Sequence, residues 1–237
     1  LSWTFCIFPF TVAARQLGAG PLNHFRLLLA SVFLTLAVLL FSSFPTTGYL
    51  QPSTYYFLLS GIVGLALGDY FGFSGFAILG PRVGSVFTTL APIATLLSGY
   101  FFVDERINAV GILGILVTIG SVTALSFSSA ELKKVRDAGH GKFSSGVVFM
   151  ILSSSCQGLG LVLANKGFEV GGEHAPDPIQ ATWMRMVAGT AVIFLFSTLT
   201  GKLRIMAKPV LRNEGNGNWY ALAGTVFGPV TGVMLSM

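Results

Sequence analysis

From Tyr55 to Phe127 the chain consists almost wholly of three apolar runs, Tyr55–Leu79, Val83–Val103 and Ile107–Phe127, separated only by Gly80-Pro81-Arg82 and Asp104-Glu105-Arg106. Each is 20 residues or longer, and about 20 helical residues cross a hydrocarbon layer ~30 Å thick. A soluble core helix does not stay apolar on every face for that length, and three-residue connections leave no water-facing surface. The runs are expected to cross a membrane as helices.

The whole chain agrees. Hydrophobic residues make up 53% and charged ones 10%, where soluble domains average about 25% charged; mean hydropathy is +0.76. The formal charge of +5 sits in short loops between apolar runs, as membrane orientation requires, so no nucleic-acid partner is implied. Cys6 and Cys156 both lie inside apolar runs, which gives neither a disulfide framework nor a metal cluster. No cofactor is indicated.

Eight spans follow in order. Leu1–Ala14 reads as the second half of a first span; it lacks the basic start and cleavage site of a signal peptide. Span two is Phe25–Phe44, ended by Pro45, and spans three to five are the opening runs. After a basic linker, Ser128–Lys142, come span six, Phe143–Asn165, span seven, Ile179–Leu199, a loop Gly201–Asn218, and span eight, Trp219–Met237. The fold class expected is an all-α polytopic membrane protein.

Internal likeness refines this. Cys6 and Ala14-Arg15-Gln16 align with Cys156 and Ala164-Asn165-Lys166 at an offset of 150. Pro21-Leu22 and Arg26 match Pro178-Ile179 and Arg185. Ser60, Gly64, Gly68 and Gly72 recur every fourth residue, as do Gly224, Gly228, Gly232 and Ser236. The ordered matches predict two five-helix units, 1–127 and 143–237, joined by the linker 128–142. Five is odd, so the second unit enters the membrane inverted, and it lacks two spans here.

Pro21-Leu-Asn-His-Phe-Arg26, Gly61-Ile-Val-Gly64-Leu-Ala-Leu-Gly68, and Ala91-Pro92 followed by Asp104-Glu105-Arg106 and Gly111, Gly114, Gly120 resemble the EamA-type drug/metabolite transporter superfamily. The resemblance implies a ten-helix carrier of small organic solutes in the cell (inner) membrane, here without its start and last two helices. The solute stays open, as does a homodimer.

Several residues are candidates for the solute pathway. Ser85, Thr88, Pro92, Thr95 and Ser98 or Gly99 fall on one helix face, and Pro92 frees a backbone carbonyl, which is tolerated at membrane depth where it is buried or lines a cavity. The alternative is helix packing through small hydroxyl residues. The glycine ladders and the Gly111, Gly114, Thr118, Ser121 face read as packing. Asp69 is the one acid inside a span; a lone carboxylate there must be protonated, paired or wet, so it is the candidate for proton coupling. Its counterpart in the second ladder is Val233. Arg26 and Arg185 are candidate interfacial anchors or anion contacts, and Gln157 is a candidate hydrogen-bonding contact.

Gly72-Phe73-Ser74-Gly75 has the look of an intramembrane serine hydrolase, but that chemistry needs a base. His24, His140 and His174 fall in or beside loops. A non-transporting scaffold is the other alternative, and an enzyme is not expected. For orientation, Arg15, Arg26, Arg82, Lys133, Lys134, Arg136, Lys142, Lys202, Arg204, Lys208 and Arg212 share one face, against Arg106, Lys166 and Arg185. That count makes the first face cytoplasmic, whereas the resemblance implies the reverse.

Overall fold

A computed structural model describes residues 2–41, 51–103, 108–126, 133, 135, 137 and 139–230. The Asp104-Glu105-Arg106 turn, the Pro45 loop, most of the linker and the end of the second ladder (Gly232, Val233, Ser236) lie outside the described residues. Every regular element among the described residues is helical, so the protein is an all-α polytopic membrane protein.

The helices are α1 (Ser2–Leu17), α2 (Ala19–Phe41), α3 (Pro52–Ser60), α4 (Gly68–Thr88), α5 (Leu90–Val103), α6 (Ala109–Ser126), α7 (Phe143–Gly171), α8 (Pro178–Leu199), α9 (Leu203–Leu211) and α10 (Gly217–Thr225). Among the described residues four stretches are long and apolar enough to cross a membrane: Ala19–Leu40, Pro52–Thr88, Phe143–His174 and Pro178–Leu199; Leu90–Phe101 and Ala109–Ala124 are shorter apolar helices.

Span three is not a uniform helix. A first π segment, Gly61–Leu67, joins α3 to α4, and a second, Val226–Val230, extends α10. The two segments fall at matching places in the two glycine ladders. The chain then reverses at Gly80, whose φ of 80° suits only a residue without Cβ; beyond it Gly84 packs on the Phe76 ring. Pro81 has no N–H for the carbonyl of Ala77. Arg15 fills that place, donating Nε–H to Ala77 O at 2.9 Å.

Pairings across the molecule are antiparallel. As the partner on α2 advances from His24 to Ser31 to Thr35, the partner on α8 retreats from Ser197 to Thr190 to Trp183 (2.7, 2.8 and 2.9 Å). Along α3 and α4, Phe57, Ser60, Gly68 and Gly75 meet Gly167, Gly160, Ser153 and Met150 of α7. Along α1, Leu17, Phe10 and Cys6 meet Gly217, Gly224 and Gly228. These contacts consume the small residues: a Cβ on Gly160 would lie 2.9 Å from Gly64 Cα, and one on Gly158 would lie 2.6 Å from Thr95 N. The ladders bring backbones together, as small residues do in lipid.

Three expectations need correction. The Gly114 face of α6 is not packed: nothing described lies within 4 Å of a Cβ built on Gly114 or Gly120, and Thr118 and Ser121 bond their own helix at Gly114 O and Val117 O. A small-residue face permits contact but does not supply a partner. The loop Gly201–Asn218 carries α9, whose Leu203, Met206, Ala207, Val210 and Leu211 wall a hollow with His24, Phe25, Leu28 and Phe194. His24 is not at a loop but buried inside α2, bonding Gly20 O and Ser197 Oγ.

Candidate functional site

The site is built outward from one turn of α2. Asn23 and Arg26, three residues apart, share a helix face and both reach span three. Asn23 Nδ2 donates to Ala66 O at 2.9 Å, and more weakly to Leu65 O at 3.4 Å, both in the first π segment. That register widens the helix and recurs at functional sites; here a side-chain amide supplies an extra donor to it.

One turn farther, Arg26 Nη1 donates to Asp69 Oδ2 in a salt bridge. Arg26 is 1% exposed, so it is no interfacial anchor. Its guanidinium lies 5.8 and 5.6 Å from the ring centroids of Phe10 and Phe73, which pack on each other 5.1 Å apart to one side of it and add a cation–π attraction; its Nε and Nη2 have no hydrogen-bond acceptor among the described residues. On the other carboxylate oxygen, Gln157 Nε2 stands 3.5 Å from Asp69 Oδ1 and 3.4 Å from Ser153 Oγ. Ser153 in turn donates to Gly68 O at 2.7 Å, locking α7 against α4.

Asp69 faces a cavity of about 690 Å³ between the π segment, α4, α5, α7 and α8. Gly64, Leu65, Ala91, Pro92, Thr95, Leu96, Gln157, Leu161, Thr182, Arg185 and Met186 complete its wall. Most of that wall is apolar, with polar groups gathered at Asp69, Gln157, Thr182 and Arg185, the composition of a small-molecule site. The Arg185 guanidinium lies over Gly64, 3.8 Å from where a Cβ would stand.

Of the residues singled out from sequence, Asp69, Pro92, Thr95, Gln157 and Arg185 line this cavity. Arg26 stands behind Asp69. Ser85 and Thr88 lie off the cavity wall, and their hydroxyls bond Arg82 O and Ser85 O of their own helix at 2.9 and 2.6 Å; Thr95 also bonds back, to Ala91 O at 3.0 Å. Helix α4 ends at Thr88 and α5 begins at Leu90, so one continuous polar stripe does not form. Asn23, Ser153 and Thr182 were missed. Asn23 had a signal, an amide three residues ahead of Arg26 in an apolar run.

The model of the EamA-like transporter family matches residues 1–127, more than half of the chain. The chain belongs to the EamA-like transporter family. No curated protein and no solved structure matches it. Membership makes this EamA-like chain a membrane transporter of small solutes. The family match ends at residue 127, so it covers Asp69, Arg26, Pro92 and Thr95, and leaves Gln157 and Arg185 to geometry. Among the described residues, no group of three or more His, Cys, Asp or Glu side chains could hold a metal. Ser74 Oγ donates to Tyr70 O at 2.8 Å, and the buried His24 bonds Ser197.

Proposed function

We propose that this EamA-like chain is a secondary carrier that moves a small organic metabolite across the cell (inner) membrane by alternating access between two inverted five-helix units, 1–127 and 143–237. The observation that carries this is the cavity, whose polar groups come from both units: Asp69 and Thr95 from the first, Gln157, Thr182 and Arg185 from the second. The inverted reading is supported by the antiparallel α2–α8 pairing and by π segments at matching ladder positions. Equivalent helices of inverted units run in opposite directions, and solute sites of such carriers lie between the units near the midplane.

In this reading Thr95, Pro92 and Gln157 wall the solute pathway, whereas Ser85 and Thr88 shape the approach of α4 to α5. Thr95→Leu in reconstituted vesicles should lower uptake at least about tenfold, since added methylenes in a fitted pocket are worth that much. Thr88→Leu should leave uptake within about twofold. Equal effects of the two would overturn the assignment of the pathway.

Proton coupling runs through Asp69. A proton on its carboxyl competes with Arg26 for the same oxygen, so loading and release of that contact is a two-state element of the kind transport needs. Asp69→Asn keeps an oxygen for Arg26 but cannot take up the proton. Its uptake should continue with a flat pH profile; a mutant profile that follows the parent would remove Asp69 from coupling.

A further inference from the structure

The two buried arginines are not equivalent, and their difference defines the charge of the solute. Although its Nε and Nη2 find no acceptor among the described residues, Arg26 has its counter-charge: Asp69 holds one edge and the Phe10 and Phe73 rings lie to one side. Arg185 has none of this. It lies on the cavity wall, its Nε is buried without an acceptor, and it makes no hydrogen bond to any described residue. It lies within electrostatic reach of Asp69, but that carboxylate is already taken. Asp69 is the one acid among the described residues that wall the cavity, and the position corresponding to it in the second ladder is Val233.

Among the described residues the site therefore holds two cations and one anion, a surplus of one positive charge beside a largely apolar cavity. Such a surplus is unfavourable away from water unless a counter-charge arrives. From this we infer that the solute is an organic monoanion, a carboxylate on a compact apolar body, whose carboxylate docks on Arg185 while its body lies against Leu65, Leu161 and Met186. With Asp69 ionised, a single negative charge neutralises the site, and a dianionic phosphate monoester would overshoot it and leave a net negative charge. The guanidinium fork matches a carboxylate with two parallel hydrogen bonds. Gln157, held to Asp69 only at 3.5 Å, can turn its amide toward the same ligand.

This inference rests on the carrier reading above. Its test uses the full chain in vesicles with phenylacetate and isovalerate as monoanions, their neutral amides, the amine phenethylamine, and phenyl phosphate as a dianion. The expected result is uptake of the two carboxylates, at least about tenfold slower entry of amides, amine and phosphate, and at least about tenfold loss of carboxylate uptake in Arg185→Gln with unfolding unchanged. Arg185→Lys, which keeps the charge without the fork, should restore part of the rate through a raised KM. Uptake of amides, amine or phosphate in preference to carboxylates, or carboxylate uptake that Arg185→Gln leaves intact, would refute the monoanion assignment while leaving a carrier. If none of the six compounds moves or shifts the unfolding temperature, the carrier reading fails together with it.

Discussion

Arg26→Met should cost the fold about 3–5 kcal/mol, the range for removing one member of a buried ion pair, and that is a large part of the 5–15 kcal/mol that holds a typical protein together. Three features put the effect at the upper end. Arg26 is 1% exposed, so water cannot replace it. Asp69 would lose its salt-bridge partner and keep only the long hydrogen-bond contact to Gln157. Phe10 and Phe73 would lose a cation and gain a thioether of different shape. The remedy is as informative as the lesion. Adding Asp69→Leu to Arg26→Met removes both charges, and replacing a whole buried pair by apolar groups is neutral or favourable. Unfolding of the double mutant in detergent should recover most of the lost stability while transport stays absent. A double mutant no more stable than Arg26→Met would mean that the pair is not what stabilises this region.

Gly61→Ala, the smallest possible enlargement, should be comparably damaging. Gly61 opens the first π segment where span three crosses α8, and a Cβ there would overlap the carbonyl oxygen of Arg185 and stand 2.7 Å from its Cα. All three nearest atoms are backbone, so no side chain can swing away and the two helices must separate. Overpacking costs about 1–3 kcal/mol where side chains can adjust, and occasionally more; with backbone on both sides about 3 kcal/mol or above is expected. Because the crossing also positions the Arg185 guanidinium over Gly64, transport should fall along with stability. Gly114→Ala is the control. Its Cβ would meet nothing within 4 Å, and alanine favours helix over glycine by up to about 1 kcal/mol, so that mutant should be neutral or slightly more stable. Equal unfolding midpoints for the two would show that the crossing is looser than its geometry.

Which parts of this were readable from the residues follows from the range over which each force acts. Apolar run length reports directly on burial in lipid, so the helices, the reversal at Gly80-Pro81-Arg82 and the membrane class were legible. A lone acid in an apolar run must find compensation somewhere, so Asp69 stood out, and so did Arg26 and Arg185. Their partners did not. Arg26 looked interfacial because it lies near the start of its apolar run; only the docking of α2 on span three shows a carboxylate and two rings waiting for it. The hydroxyls of Ser85 and Thr88 lined up on an ideal helix, but the interruption between Thr88 and Leu90 takes them off the cavity wall. The π register of Gly61–Leu67 was not readable in the residue pattern, where a ladder of small residues marks close packing but not the register of the helix. Helix α9 did leave a mark, Leu203, Met206, Ala207, Val210 and Leu211 at helical spacing, but the charges among them made the segment read as a loop.

The sequence by itself determined that this chain lives in a bilayer as helices, that its small residues fall in ladders able to bring backbones into contact, and that very few charges are buried with them. Those are properties of single segments, set by hydropathy, length and side-chain size. The tertiary structure alone decided which arginine Asp69 satisfies and which it leaves facing the cavity, because charge pairing inside lipid is settled by which helices come within a few ångströms of each other, and no segment carries that information alone.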